Sequence, residues 1–448
     1  NNAGTLIVGE PTLAASTLTI SNLETWNNSG RVVFGSSSTT GAATSDLAAD
    51  DRILAAGTTF IGSGSSRLVI DSNLGALVQT SCAILNGSDC LSLTGGNTSG
   101  STLVKVTDIS PNVWGAYNPV GMVVVDVSGA GVTGLNDFGL DSTSTWWRAD
   151  LNSVDGVLDK GLFFYDLARN LNKQHVLVGL PDSEAFEFTV AGTAAQNAWY
   201  QTTGTWYERQ ADLREQLGDV DGSGSGVWVK VTGGKTDRDL ISSFDLFGKT
   251  YSFDTSYAQN TSSLTGGIDF ISATSADSQW IVGGMIGYID TDVNFDASNT
   301  LTSMEGLTLG LYGTYVTKNF FVDAIIAGNF MDMTHQVPTL AAAPNNIYES
   351  EVNTVGGQVE GGFTLALSEN VFVEPLASVS YVKTSFDDIA VPGAVIDWDD
   401  QTSLRGSLGA RLGANADFDT FAAKFTVTAR IWNEFEGENG RVIHSAGP

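Results

Sequence analysis

The pattern of apolar and polar positions divides the chain into two unlike halves. Up to about residue 110 it consists of short β-branched runs set apart by Gly, Ser, Asn and Thr: TLIV at 5, TLTI at 17, RVVF at 31, TTFI at 58, RLVI at 67 and TLVKV at 102. A run this short cannot bury a core by itself, so its recurrence predicts stacked coils. The reading is a parallel β-helix, with a jelly roll second because its strands would be longer and more regular. After Gly226 the pattern becomes strict alternation over segments of nine to twelve residues. In GLTLGLYGTYV, Leu307, Leu309, Leu311 and Tyr315 share one face while Thr308, Tyr312 and Thr314 share the other. VFVEPLASVSY at 371 and FAAKFTVTARIW at 421 alternate in the same way. Nine such strands begin near 227, 263, 280, 305, 320, 354, 371, 403 and 421.

Alternation also suits a soluble sandwich, so length and connections must decide. The strands match the roughly 9 to 11 residues a tilted strand needs to cross a bilayer. Connections are short at 272–278, 317–319, 368–370 and 415–420, and long at 290–304, 331–352 and 383–402. Short turns on one side and long loops on the other predict an antiparallel outer-membrane β-barrel. Trp228, Trp280, Tyr288, Phe295, Phe320, Phe330, Phe372, Tyr381, Phe418, Phe421 and Trp432 fall near strand ends, as interfacial girdles require.

Between the halves, residues 111–190 gain large aromatics, among them Trp114, Trp146, Trp147, Phe163, Phe164 and Tyr165. An open solenoid end needs its backbone edge covered, and this stretch reads as that cap or, alternatively, as an ordinary aromatic-rich β domain. A linker follows over 191–226, holding one helix at 205–217. Thr205 and Glu208 have the spacing of a capping box and Gly218 supplies a stop.

Charge narrows the partners. Lys and Arg number 21 against 50 Asp and Glu, a net charge of −29 spread over both halves. Nucleic acid and anionic lipid are poor matches to such a surface. No run of 18 apolar residues is present, which excludes a transmembrane helix but not a barrel. The opening NNAGTLIVGE lacks a signal core, so the chain is expected to be a processed product or a fragment. Cys82 and Cys90 are either two unrelated small residues or a local disulfide around Asn86 and Gly87; the disulfide, preferred, implies an oxidising compartment.

Catalytic chemistry is sparse. His175, His335 and His444 form no metal pair, and no nucleophile elbow or phosphate loop occurs. His335, in a long outer loop, and His444 are expected to be solvated. DVDGSGSGVWVK at 219 resembles a calcium loop but puts Lys230 where a bidentate acid is needed. No enzyme activity, cofactor or metal is expected.

GSGVWVKVTGG at 224, GLFFYDLARNLNKQHVLVGL at 161, STLVKVTDISP at 101 and NPVGMVVVDVSG at 118 resemble the first barrel strand and the autochaperone rungs of autotransporters of the type V secretion class. The resemblance implies that 1–110 is a β-helical passenger stem, 111–190 its autochaperone end, 191–226 a linker and 227–448 a translocator barrel. The family barrel has twelve strands, so three are expected to be missing from this sequence. The terminal VIHSAGP likewise lacks the family's aromatic-ended last strand. The helix is expected to thread the pore, presenting Trp206, Tyr207, Glu208, Arg209, Asp212, Arg214 and Glu215. Alternation then assigns Lys230, Asp323, Gln358, Glu360, Glu374, Arg405, Ser407, Arg411, Lys424 and Arg430 to the lumen. Arg405, Arg411, Lys424 and Arg430 are expected to face the helix acids. Implied partners are outer-membrane lipid and lipopolysaccharide, the barrel-assembly machinery and periplasmic chaperones, with the passenger's own ligand open. The implied location is a bacterial outer membrane with the passenger at the cell surface. The implied role is export and anchoring of the chain's own passenger, folding outside making transfer one-way. A surface adhesin with the barrel as mere anchor is the alternative.

Overall fold

The computed structural model describes residues 1–9, 15–37, 43–44, 47–75, 78–150, 152–216, 224–275, 278–317, 319–340, 343–368, 370–418, 421–438 and 441–445. Among these, the side chains of 36–37, 43–44, 205–216, 273–275, 339, 343–345, 415–418, 421–424, 438 and 441–445 lie outside the described set.

The short runs stack as a parallel β-helix with three faces. One face orders Thr5–Val8, Arg31–Phe34, Arg67–Ser72, Thr102–Asp108 and Phe138–Leu140, all parallel. A second stacks Thr25–Asn28, Thr59–Gly62 and Thr98–Gly100, and a third Thr17–Thr19, Arg52–Leu54, Cys90–Ser92 and Asn118–Asp126. Each turn contributes a few apolar side chains to a column, such as Val32, Leu68 and Val104, so the core grows by stacking rather than by long strands. Trp26, Phe60 and Phe138 line up inside it at ring separations of 5.3 and 6.0 Å.

Parallel stacking runs on to Leu140, past the expected boundary at 110. The cap is where the direction reverses. Gln174–Pro181 pairs antiparallel with Asn118–Asp126, and Phe163–Arg169, Ser153–Asp159 and Trp147–Asp150 extend the same sheet antiparallel. Antiparallel hairpins terminate the coil because they need no further crossover to satisfy their backbone. Tyr165, buried in the cap, donates its hydroxyl to the Leu74 carbonyl at 2.8 Å and accepts from the Ala116 amide at 3.1 Å, tying the cap to earlier turns. Cys82 and Cys90 are joined as a disulfide against this sheet.

The second half is one curled antiparallel sheet of nine long strands in sequential order. They are Gly224–Arg238, Tyr257–Ser275, Ser278–Phe295, Leu301–Thr317, Phe320–Leu340, Ala343–Phe363, Val371–Phe386, Gln401–Phe418 and Phe421–Glu438. No pairing joins the first to the last among the described residues, so the sheet is an open half-barrel. The strands alternate as expected: Val227, Val229, Val231, Ile286, Leu309, Leu311, Ile326, Leu408 and Val427 are exposed on the convex face, while Thr308, Thr314, Asp323, Asn329 and Glu360 are buried on the concave one.

The long outer connections are mostly not loops. The third and fourth strands run on to Phe295 and Leu301, and the fifth and sixth to Leu340 and Ala343, as hairpins that continue their ladders. Polar Thr, Ser, Asp and Asn on both strands read as loop in the sequence, yet the ladder bonds persist. Between the first two strands, where no structure was expected, lies a hairpin of Ile241–Leu246 and Lys249–Asp254. Phe247 (φ 52°) and Gly248 (φ 78°) form its two-residue turn, both left-handed as a type I′ turn requires.

Candidate functional site: the helix on the concave face of the sheet

One helix, Ser183–Gln216, leaves the cap and lies against the concave face. It begins at Ser183, not at Thr205, and 205–216 continue it, so Thr205 is no N-cap. Its 34 residues span roughly 50 Å at about 1.5 Å per residue, where the expected 205–217 gave only a third of that. The side chains of Trp206, Tyr207, Glu208, Arg209, Asp212, Arg214 and Glu215 fall outside the described set, as do 219–223 of the calcium-like stretch. Among the described residues no group of acids, His and Cys could hold a metal ion.

Asp182 fixes the entry. Its carboxylate accepts the Ser183 amide at 2.8 Å and the Arg148 guanidinium of the cap, and its carbonyl accepts the Ala185 amide at 3.1 Å. Burial pushes the Asp182 carboxyl up to about 6, with the Arg148 charge pulling the other way. Beyond it Ala185, Ala191, Ala194, Ala195 and Ala198 are all buried, and such small side chains let the helix lie close to the wall.

Close approach is visible at glycines. A Cβ on Gly356 would stand 2.8 Å from the Trp199 ring and from the Tyr381 carbonyl, and one on Gly192 would overlap Gln401. Wall and helix are also hydrogen-bonded. Gln259 donates to the Ala194 carbonyl at 2.9 Å and accepts from Asn197 at 2.9 Å; Trp199 Nε1 donates to the Ala327 carbonyl at 2.9 Å; Tyr200 Oη and Ser403 Oγ are 2.8 Å apart. At the outer mouth Phe188, Met304, Met331, Met333, Ile396 and Trp398 enclose the helix start in an apolar collar. His335 belongs to this collar, stacked on Phe188 at 4.1 Å and bonded to Thr302 at 2.7 Å, so it is buried rather than solvated. The side chain of His444 lies outside the described set.

Further down, the concave face is charged. Asp323, Glu360, Glu374 and Arg411 are buried there and Lys230, Gln358, Arg405, Ser407 and Arg430 half-buried; Lys424 lies outside the described side chains. The arginines meet wall carboxylates: Arg411 pairs with Glu374 at 3.0 Å, Arg430 with Glu360, and Arg405 with Glu434 at 2.5 Å. The expected partners were helix acids; the described contacts are wall to wall. Arg405 does touch the helix, but through a ring: its guanidinium lies 3.9 Å from the Tyr200 centroid and 4.9 Å from that of Trp432. Tyr200, Glu434 and Trp432 were absent from the expected lining. Trp432 follows Arg430 by two and so shares its face, a parity the sequence already held; Trp228 (bonded to Tyr312 at 2.8 Å) and buried Phe295 likewise leave the expected girdle, whereas Trp280, Tyr288, Phe320, Phe330 and Tyr381 stay outward.

A polar-lined half-barrel of sequential strands with a helix fed into it from a β-helix matches one family. The family model of the autotransporter beta-domain covers residues 227–447. Residues 227–447 belong to the autotransporter beta-domain family. Among curated relatives it is 27% identical over 168 residues to "Autotransporter CRAC" of Citrobacter rodentium, covering 36% of this chain and 10% of that protein. It is 28% identical over 154 residues to outer membrane protein B of Rickettsia prowazekii, covering 31% and 9%. The chain thus spans about a tenth of the length of the curated relatives it matches. Solved structures similar to it include the beta domain of the Bordetella autotransporter BrkA (22% identity, 47% of this chain, 81% of that one, TM-score 0.37). The transport unit of the autotransporter AIDA-I from Escherichia coli also matches (13%, 49%, 75%, TM-score 0.31). For an autotransporter the convex apolar face is the lipid face, which places the barrel half in the outer membrane and the solenoid at the surface. The family role of the β-domain itself is not enzymatic.

Proposed function

We propose that the curled sheet is part of the outer-membrane pore through which the residues before Ser183 reach the cell surface, and that the helix is what remains in that pore after transit. The observation that carries this reading is the helix Ser183–Gln216 itself, continuous from the last cap strand and bonded to the wall by Gln259, the Ala327 carbonyl and Ser403. A lumen that is apolar at the mouth and charged below suits a plug: Ala and Phe188 seal the outer end while charge stays in the wet interior, where it costs little.

Folding outside is the source of direction in this reading. Each turn of the solenoid buries apolar side chains at about 1.5 to 3 kcal/mol apiece before chain entropy is subtracted. A small net gain per turn is enough to make backward sliding unfavourable. The barrel-assembly machinery, periplasmic chaperones and lipopolysaccharide are the partners this role calls for. Removing residues 111–190 tests the reading: the barrel should still shift on heat-modifiable gels while the stem becomes protease-sensitive or stalls. A stem that reaches the surface fully protease-resistant without its cap would refute it.

A further inference from the structure

The first solenoid face carries a groove of about 520 Å3 whose lining includes Arg31, Arg67 and Lys105, with Ser29, Ser65 and Thr143. Arg31 and Arg67 are register partners on adjacent turns; Lys105 lies one turn further, opposite Val69. Outward side chains of stacked parallel strands repeat every 4.7 to 4.9 Å or so, so Arg31 and Arg67 stack along the solenoid axis, while Lys105, two residues beyond the Leu103 that pairs with Arg67, stands diagonally from them. Residues 1–190 hold 8 basic and 18 acidic residues, and three of the eight stand in this one groove. The lining contains no carboxylate. Arg67 pairs with Asp141 beside the groove at 2.6 Å, but Arg31 and Lys105 have no carboxylate partner among the described residues. Arg31 and Lys105, on either side of the Arg67 turn, therefore leave this groove locally cationic in a chain of net charge −29. The groove floor is bare backbone: a Cβ on Gly30 would lie 2.1 Å from the Gly4 carbonyl.

We propose that this groove binds a linear acidic polysaccharide, carrying uronate or sulfate groups, laid along the solenoid axis. Hydroxyls of Ser29, Ser65 and Thr143 face sugar hydroxyls, and the staggered cations Arg31, Arg67 and Lys105 take the acidic groups. A peptide would want apolar side-chain pockets, and only Ala3 and Val69 supply apolar lining. Duplex nucleic acid carries about one charge per 1.7 Å of length and so meets stronger repulsion from the acidic surface around the groove than a single glycan chain does. The proposal does not depend on export, since binding is read on the purified chain.

The test uses the full chain in detergent micelles with fluorescent heparin and polygalacturonate oligosaccharides, read by anisotropy. Expected are binding that weakens with salt, a 3- to 10-fold loss for Arg31→Gln or Lys105→Gln alone, and loss of measurable binding for the pair. Lys235→Gln, which removes the same charge from the exposed Lys235–Asp237 pair on the barrel, should bind as the parent does. Response to one probe and not the other assigns sulfate or uronate as the recognised group. Unchanged binding by the double variant, equal binding of neutral dextran or duplex DNA, or competition by inorganic sulfate as effective as glycan would each overturn the proposal. All variants change exposed or half-exposed side chains, and an unaltered thermal transition confirms that they fold.

Discussion

Tyr251 of the hairpin between the first two barrel strands donates its hydroxyl to Asp166 of the solenoid cap at 2.7 Å, and Lys249 pairs with the same carboxylate. Asp166 is buried and also accepts Ser153 at 3.0 Å, so three groups converge on one charge. Around them Phe244, Tyr251 and Phe253 cover Phe164, Val176, Val178 and Leu180 of the cap, and Asn152 exchanges two bonds with the Ser252 backbone. The cap is therefore completed by the barrel. Tyr251→Phe should cost the cap about 1.5 to 3 kcal/mol and Phe253→Ala about 3 to 5. Limited proteolysis checks this: cleavage within 147–181 should accelerate while the barrel keeps its heat-modifiable shift.

Gly356 stands beneath Trp199 because nothing larger fits. In Gly356→Leu the new side chain must displace the Trp199 ring or the Tyr381 carbonyl, and the first is easier because the helix is held by only a few bonds. The expected outcome is a folded wall with a loosened plug. Single-channel recordings on reconstituted protein should show raised conductance, and Gly313→Ala, where an added Cβ meets no atom closer than 3.8 Å, should leave it unchanged.

Arg411 and Glu374 are each nearly inaccessible, and Thr364 supplies the second bond to the carboxylate at 3.0 Å. Arg411→Ala strands that carboxylate in the wall, at a cost of about 3 to 5 kcal/mol. The temperature at which the folded gel band disappears should fall accordingly. Arg411→Met with Glu374→Leu should recover most of the loss, because removing both charges removes the uncompensated burial.

Alternation made the wall legible: nine strands in sequential antiparallel order follow from a period of two and from the short turns. The helix was half legible. Its exposed-looking portion, rich in Glu and Arg, announced itself, but 183–204 did not, because buried Glu187, Gln196, Thr202 and Thr203 break up the apolar stripe of its packed faces. Gly192, Thr193, Thr202 and Thr203 also weaken its propensity; the two latter hydroxyls fold back on the Ala198 and Trp199 carbonyls at 3.0 Å each. Of the arginine partners, Glu374 and Arg411, and Arg405 and Glu434, stand opposite one another on neighbouring strands, but one pair was not legible. Arg430 and Glu360 lie on strands that are not neighbours, and only the curl of the sheet brings them together. The cap hairpin could have been found: ISSFDLFGKTYSFD alternates around a Phe-Gly turn, but its length hid it among polar connections.

His175 gives the cap a pH dependence of known sign. Its ring is buried against Phe138 at 4.8 Å with Nε2 2.8 Å from Thr133 Oγ1, and burial lowers it to about 4, Asp137 opposing and Arg169 assisting. The fold thus holds the neutral ring, while the unfolded chain takes up a proton below about 6.5. Stability from this group is complete above that value and falls as the pH drops from about 6.5 towards 4, by up to about 1.4 kcal/mol per pH unit. Asp182 works against it: raised to about 6, its carboxyl is held protonated in the fold, and that group adds stability as the pH falls from about 6 towards 4. The two trends partly cancel in the parent chain, so the test is a difference. His175→Gln should lose stability at pH 7 through imperfect packing, yet between pH 6.5 and 4 its cap should resist proteolysis progressively better relative to the parent. Parallel pH profiles for the two chains would remove His175 as the titrating group.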